Sequence, residues 1–163
     1  MKNFLLTTLV SFILWLLLTG SLDQQELVAG LIVSLVAAAL SAGRITIFSD
    51  IRLSPAAPLA FVMYLATFLL ALLKANLDMA RRVLSPSLPL NPAMIEITTD
   101  LQSNLAKLVL ANSITLTPGT LAVDVTENKI LVHWIDCPEG ISPRQATEQI
   151  AADFEKHIRG FLL

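Results

Sequence analysis

The sequence predicts a membrane-anchored α-helical region of three hydrophobic helices followed by a small α+β tail. Three observations carry this. Residues 1 to 43 hold only three charged side chains, Lys2, Asp23 and Glu26. A third apolar run follows from Leu59 to Leu73. The last 80 or so residues instead alternate short β-branched runs with amphipathic stretches. A charged group near the bilayer centre costs roughly 2.5 kcal/mol or more on insertion scales, so long charge-free runs mark a membrane anchor.

Charge separates the two regions. Residues 1–84 carry a net charge of +2 and residues 85–163 a net charge of −4. Only 15% of the chain is charged, against about 25% in an ordinary soluble domain. The basic junction suits anionic lipid headgroups. The acidic tail excludes nucleic-acid binding, which needs a clustered positive face. The single cysteine, Cys137, excludes an intrachain disulfide and suits a cytoplasmic tail.

The first segment runs from Phe4 to Leu18, broken only by Thr7, Thr8 and Ser11. Such hydroxyls are tolerated because they bond back to the helix or across to a neighbour. A secretory signal peptide is the competing reading. The lone Lys2, the missing A-x-A site and the second apolar segment argue against it. That second segment, Leu27 to Ala42, places small residues at Gly30, Ser34 and Ala38, a stripe that lets another helix approach closely. The short connection Thr19–Glu26 makes the two segments antiparallel neighbours. Arg44 to Pro58 reads as an interfacial connection.

The third segment continues past Leu73 as an amphipathic helix to about Leu84, with Lys74 and Asp78 spaced to pair at i,i+4. The proline-rich stretch from Ser85 to Pro92 marks a boundary. The expected domains are a transmembrane region over 1–84, a linker over 85–93 and a cytoplasmic domain over 94–163.

The tail reads as βαββα, two helices on a mixed sheet. Met94 to Thr98 alternates as a strand. Asp100 is the expected N-cap of a helix to Asn112 that buries Leu101, Leu105, Leu108, Val109 and Asn112. Pro118-Gly119 is a turn, with proline fixing φ and glycine taking positive φ. Thr120–Val125 and Lys129–Ile135 make a hairpin across Thr126-Glu-Asn128. Ser142, Pro143 and Gln145 supply N-cap, N1 proline and capping box for a closing helix. Its buried stripe is Ala146, Ile150, Phe154, Ile158 and Phe161.

Chemistry-bearing motifs are absent. There is no Walker loop, no G-x-G-x-x-G, no G-x-S-x-G and no H-E-x-x-H, so no catalytic, cofactor-binding or metal residues are expected and no cofactor is implied. His133 and Asp124 fall on the two hairpin strands without metal-ligand spacing. Lys74 and Asp78 are the third segment's first ionisable groups and sit near its end, where an interfacial pair fits better than a proton relay. Asn76 between them either bonds to a neighbouring protein or faces headgroups. Thr115, Thr117 and Thr120 surround the Pro-Gly turn, where they either satisfy local backbone or present a loop to a partner.

Around this turn, the run Ala111-Asn-Ser-Ile-Thr-Leu-Thr-Pro-Gly-Thr120 resembles the E-type subunits of the Mrp-type (also called Mnh-type) multisubunit cation/proton antiporters. So do Val123-Asp-Val125, Lys129-Ile-Leu-Val-His-Trp-Ile-Asp136 and Leu73-Lys-Ala-Asn-Leu-Asp78. Trp134 and Cys137 depart from the usual pattern. The resemblance implies a small accessory subunit of a complex exchanging sodium for protons in the cell membrane. The ion paths would then lie in larger membrane subunits, its partners alongside the lipid bilayer. Related subunits occur in membrane-bound hydrogenase-type complexes, and a stand-alone membrane-anchored binding module is a further alternative. The expected subunit-contact or interfacial residues are Lys74, Asn76, Asp78, Thr115, Thr117, Pro118 and Gly119.

Orientation poses a conflict. Three full crossings put Arg44 and Arg52 on the side opposite Arg81 and Arg82, so the positive-inside rule cannot hold for both pairs. The larger cluster, Lys74 with Arg81 and Arg82, favours a cytoplasmic tail. An incomplete crossing by one of the short early helices would remove the conflict.

Overall fold

The computed structural model describes residues 2–41, 50–52, 54–86 and 90–163. Part of the expected interfacial connection, 44–49 and 53, and the centre of the proline-rich linker, 87–89, lie outside them. Two compact units divide between Ile51 and Arg52. The third hydrophobic helix falls in the second of these, together with the tail.

The first unit is a helical hairpin of α1 (Lys2–Thr19) and α2 (Gln24–Leu40). Gly20, at φ +63°, ends α1 in the left-handed region that a Cβ disfavours, and its N–H donates to Leu16 O at 2.9 Å. In α2 only Gly30, Ser34 and Ala38 are buried, the stripe read from the sequence. The reason is steric: a Cβ at Gly30 would lie 2.5 Å from Cδ1 of Trp15. The indole sits directly on the glycine backbone. Thr8 Oγ1 donates to Phe4 O at 3.0 Å and Thr19 Oγ1 to Trp15 O at 3.1 Å. Both hydroxyls are thus satisfied within their own helix, as apolar surroundings demand. Leucines such as Leu5, Leu9 and Leu17 point outward. Trp15 Nε1 and Ser34 Oγ are buried without a hydrogen-bond partner.

In the second unit, α3 (Ala57–Leu84) precedes β1 (Ala93–Thr98), α4 (Asn104–Leu116), β2 (Thr120–Thr126), β3 (Lys129–Trp134), α5 (Pro143–Ile150) and α6 (Ala152–Phe161). By length and composition, α1 and α3 could each cross a membrane; α2 is shorter and apolar.

The sheet has the order β1-β3-β2 and is antiparallel throughout, not mixed. The two-residue turn Glu127-Asn128 forces β2 and β3 antiparallel. β1 then takes the other edge of β3, so the parallel strands β1 and β2, joined through α4, never touch. Ile97, Ile130 and Val132 point into the core, where Leu101, Leu110, Ile114, Ala146 and Ile158 meet them, all 2% exposed or less.

Three helical expectations change. Helix α4 is capped by Ser103, whose Oγ accepts from Ala106 N at 3.1 Å, and not by Asp100. Its buried residues are Ala106, Leu110, Ala111, Ser113 and Ile114, while Leu108 is exposed. Apolar residues surround this helix on most sides, so sequence periodicity left its phase undetermined. The closing helix is two helices separated at Ala151. The Ser142 capping box forms as expected, and Ala146, Ile150, Phe154 and Ile158 are buried.

A polar network ties the end of β1 to α6. Buried Glu155 accepts from Thr99 Oγ1 and Asp100 N, each at 3.0 Å, and pairs with Arg159. Arg159 also reaches Asp100 at 3.0 Å. The hydrogen bonds that the Arg159 guanidinium donates, to Glu155 first and Asp100 second, hold its pKa above the ordinary value.

Gly30→Val should destabilise the hairpin by about 2 kcal/mol through overpacking on Trp15. Trp15→Ala in the same chain should recover part of the loss, a coupling readable from thermal unfolding of the detergent-solubilised protein in a double-mutant cycle. Ser34→Ala should be neutral or stabilising, because it removes an unsatisfied buried hydroxyl.

Candidate functional site

Between α3 and the tail lies a cleft of about 560 Å³. Helix α3 supplies Lys74, Asp78, Met79 and Arg82. The turn after α4 supplies Thr117, Pro118, Gly119 and Thr120. The end of β3 adds Trp134, with Ile135 and Asp136 beyond it, and α5 and α6 add Gln149, Asp153 and Phe154. Lys74, Asp78, Thr117, Pro118 and Gly119, all picked from the sequence, thus line one space.

The turn is shaped to fit there. Gly119 has φ +100°, as the third position of a Pro-Gly turn requires. A Cβ on it would lie 3.4 Å from Ile135 Cγ2 and 3.7 Å from Met79 Cε, so the turn packs closely beside α3. Its threonines are committed to backbone. Thr117 Oγ1 donates to Ser113 O at 2.7 Å, and Thr120 Oγ1 to Ile114 O at 2.7 Å and Thr117 O at 3.0 Å. Thr115 Oγ1 accepts from Ala122 N at 3.1 Å and lies outside the cleft. Asn76 also lies outside it, and its Nδ2 donates to Leu72 O at 2.8 Å.

Arg82 organises the charge of the cleft. Its Nε meets Asp78 Oδ2 at 2.7 Å and its Nη1 meets Asp136 Oδ2 at 2.6 Å. One planar fork therefore joins the end of α3 to the end of the sheet. Asp78 pairs with Arg82 and not with Lys74. The i,i+4 spacing of Asp78 and Arg82 was visible in the sequence, but Asp136 is remote in the chain and only folding brings it near. Next to it, Asn91 pairs with the same edge: its N–H donates to Ile135 O at 3.1 Å and its Nδ2 to Cys137 O at 2.7 Å.

His133 and Asp124 do not come together, because His133 stands opposite Leu121 while Asp124 stands opposite Leu131. Cys137 is a buried free thiol. Among the described residues no cluster of three or more His, Cys, Asp or Glu has metal-site geometry. What the cleft offers is a fixed ion-pair array with an apolar wall, suited to holding elements or chains together.

A family model described as Na+/H+ ion antiporter subunit matches residues 8–160. The E1 subunit of the Na(+)/H(+) antiporter of Staphylococcus saprophyticus is 29% identical over 95% of this chain and 94% of its own. Its counterpart in Staphylococcus aureus is 31% identical over 90% of this chain and 89% of its own. A chain in the solved structure of the membrane-bound sulfane sulfur reductase, an archaeal respiratory membrane complex, is 43% identical. It superposes with a TM-score of 0.82 over 98% of each chain. With a family match over nearly its whole length, the chain belongs to the family of Na+/H+ ion antiporter subunits.

Proposed function

We propose that this chain is an accessory, non-catalytic subunit of a multisubunit membrane complex that exchanges sodium for protons, with its tail on the cytoplasmic side. The family match over residues 8–160 carries the reading. The hairpin supports it. Between Asn3 and Leu22, and from Leu27 to Ser41, no side chain titrates, and an ion path across a membrane needs such groups. The small-residue seam of α1 and α2 and the ion-pair array of the cleft are both suited to holding parts together.

A second reading concerns the host. The 43% identity and full coverage of the sulfane sulfur reductase chain exceed the identities of the two antiporter relatives. They favour a respiratory membrane complex as the assembly this chain serves. The role is the same in either host: a small membrane-anchored part beside larger polytopic subunits. Asn76 is exposed on α3 and outside the cleft, and it is the residue of the expected contact set offered to such neighbours. Thr115, Thr117, Pro118 and Gly119 act by shaping the turn.

Deleting the gene should abolish antiport in inverted membrane vesicles and lower sodium tolerance. Unchanged antiport refutes the antiporter host. Gentle detergent extraction should recover the chain with large polytopic partners, and the presence of redox subunits among them selects the respiratory host. Arg82→Ala should loosen the tail from α3 and lower its melting temperature slightly, the effect being small because solvent screens both ion pairs. Arg82→Lys should recover little, because an ammonium cannot span both carboxylates as the fork does. Thermal unfolding of the solubilised protein reads both.

A further inference from the structure

Helix α3 is long and apolar enough to cross a membrane, yet the tail packs along one side of it over most of its length. Near its start, Gly160 of α6 lies so close to Ala60 that a Cβ there would be 2.3 Å from the alanine Cβ. Phe161 packs edge-on against Phe61, with centroids 5.4 Å apart, and lies 5.5 Å from Tyr64. Tyr64 Oη and Ser113 Oγ are hydrogen-bonded at 2.7 Å. Phe68 lies 6.4 Å from Phe154. Near its end, Met79 meets Gly119 and Arg82 meets Asp136. At 1.5 Å per residue, contacts from Ala60 to Arg82 extend over about 33 Å, as much as the roughly 30 Å hydrocarbon core of a bilayer. A crossing α3 would therefore carry α6 into the bilayer with its exposed Asp153, Lys156 and Arg159. Hydrocarbon excludes such charges.

The opposite face of α3 agrees. Leu59, Val62, Ala66, Leu69, Leu73 and Leu77 recur at helical spacing, and all are exposed. No charged residue interrupts that stripe. Lys74 and Arg81, seven residues apart and so on one side of the helix, border it along one edge.

We infer that α3 does not cross the membrane but lies flat on it, its leucine stripe sunk into the lipid surface and the tail resting on its upper side. An apolar face bordered by cations is how a helix lies in the interfacial plane. The occupant is lipid because α3 follows an apolar hairpin closely in the chain, beginning six residues after Ile51, where that unit ends, and a tether this short keeps it at the membrane that the hairpin would enter. The chain then crosses twice, through α1 and α2. Arg44, Arg52, Arg81 and Arg82 all come to one side, and the loop around Asp23, which has no Lys or Arg, to the other. This satisfies the positive-inside rule throughout. The early helices need not cross incompletely.

The test uses the full chain expressed with its partner subunits in native membranes. Pro55→Cys and Pro86→Cys flank α3, and Cys137 is buried and serves as the background. A membrane-impermeant maleimide should label both positions from the cytoplasmic side only, in inverted vesicles; labelling from opposite sides overturns the inference. Ser54→Cys replaces Pro55→Cys if the latter fails to assemble. Bimane on Val62→Cys and on Leu73→Cys should be quenched equally by a shallow lipid nitroxide and weakly by a deep one. Depths differing by about 16 Å, the rise of eleven residues, also overturn it. Absence of quenching by any lipid label assigns the stripe to a protein neighbour and overturns lipid as its occupant. Loss of antiport plays no part in these readouts, so they fail independently of the proposed function.

Discussion

Where α3 meets α6, glycine lies on alanine and nothing holds the two backbones apart. Gly160 and Ala60 set the distance between the helices, and the aromatic rings of Phe61, Tyr64, Phe68, Phe154 and Phe161 close around that point. Rings at these separations contribute about 0.5–1.5 kcal/mol per pair beyond the area they bury. This seam decides which unit α3 belongs to. It thereby fixes where the cleft forms, because the cleft is the space left between α3 and the turn and sheet end that face its C-terminal half.

The tail supplies the rigidity that the seam requires. A three-stranded sheet is a small core, and its polar ties are correspondingly specific. Glu155 joins Thr99, Asp100 and Arg159, Lys107 reaches Glu127 O and Asn128 Oδ1 across the hairpin turn, and Thr120 closes the end of α4. At the far end Arg82 holds two carboxylates from different parts of the chain. Hydrophobic contact sets the start of the α3–tail interface and electrostatic contact its end.

The hairpin of α1 and α2 follows a different rule. Lipid tails are as apolar as leucine, so burial of leucines gives no drive to pair two helices in a bilayer. Close backbone approach does, through dispersion, and the seam of Gly30, Ser34 and Ala38 against Trp15 and Thr7 provides it. Leucines face outward, inverted from a soluble helix pair.

Features set by neighbours in the chain could be read directly from the residues. The capping box of Ser142, the Pro-Gly turn at Gly119, the two-strand hairpin and the small-residue stripe of α2 each depend on spacing alone, and each formed. The run Ala111 to Thr120 and the stretch Leu73 to Asp78 supply part of the cleft lining, among it Lys74, Asp78 and the Pro-Gly turn. Tertiary structure alone decided the rest. It rotated α4, whose apolar residues allowed more than one buried face. It made the sheet antiparallel by sending β1 to the far edge of β3, and it brought Asp136 to Arg82. Above all it gave α3 to the tail. Hydropathy scores a phenylalanine alike whether lipid or another phenylalanine covers it, so only long-range packing distinguishes a helix that crosses a membrane from one clasped by a domain.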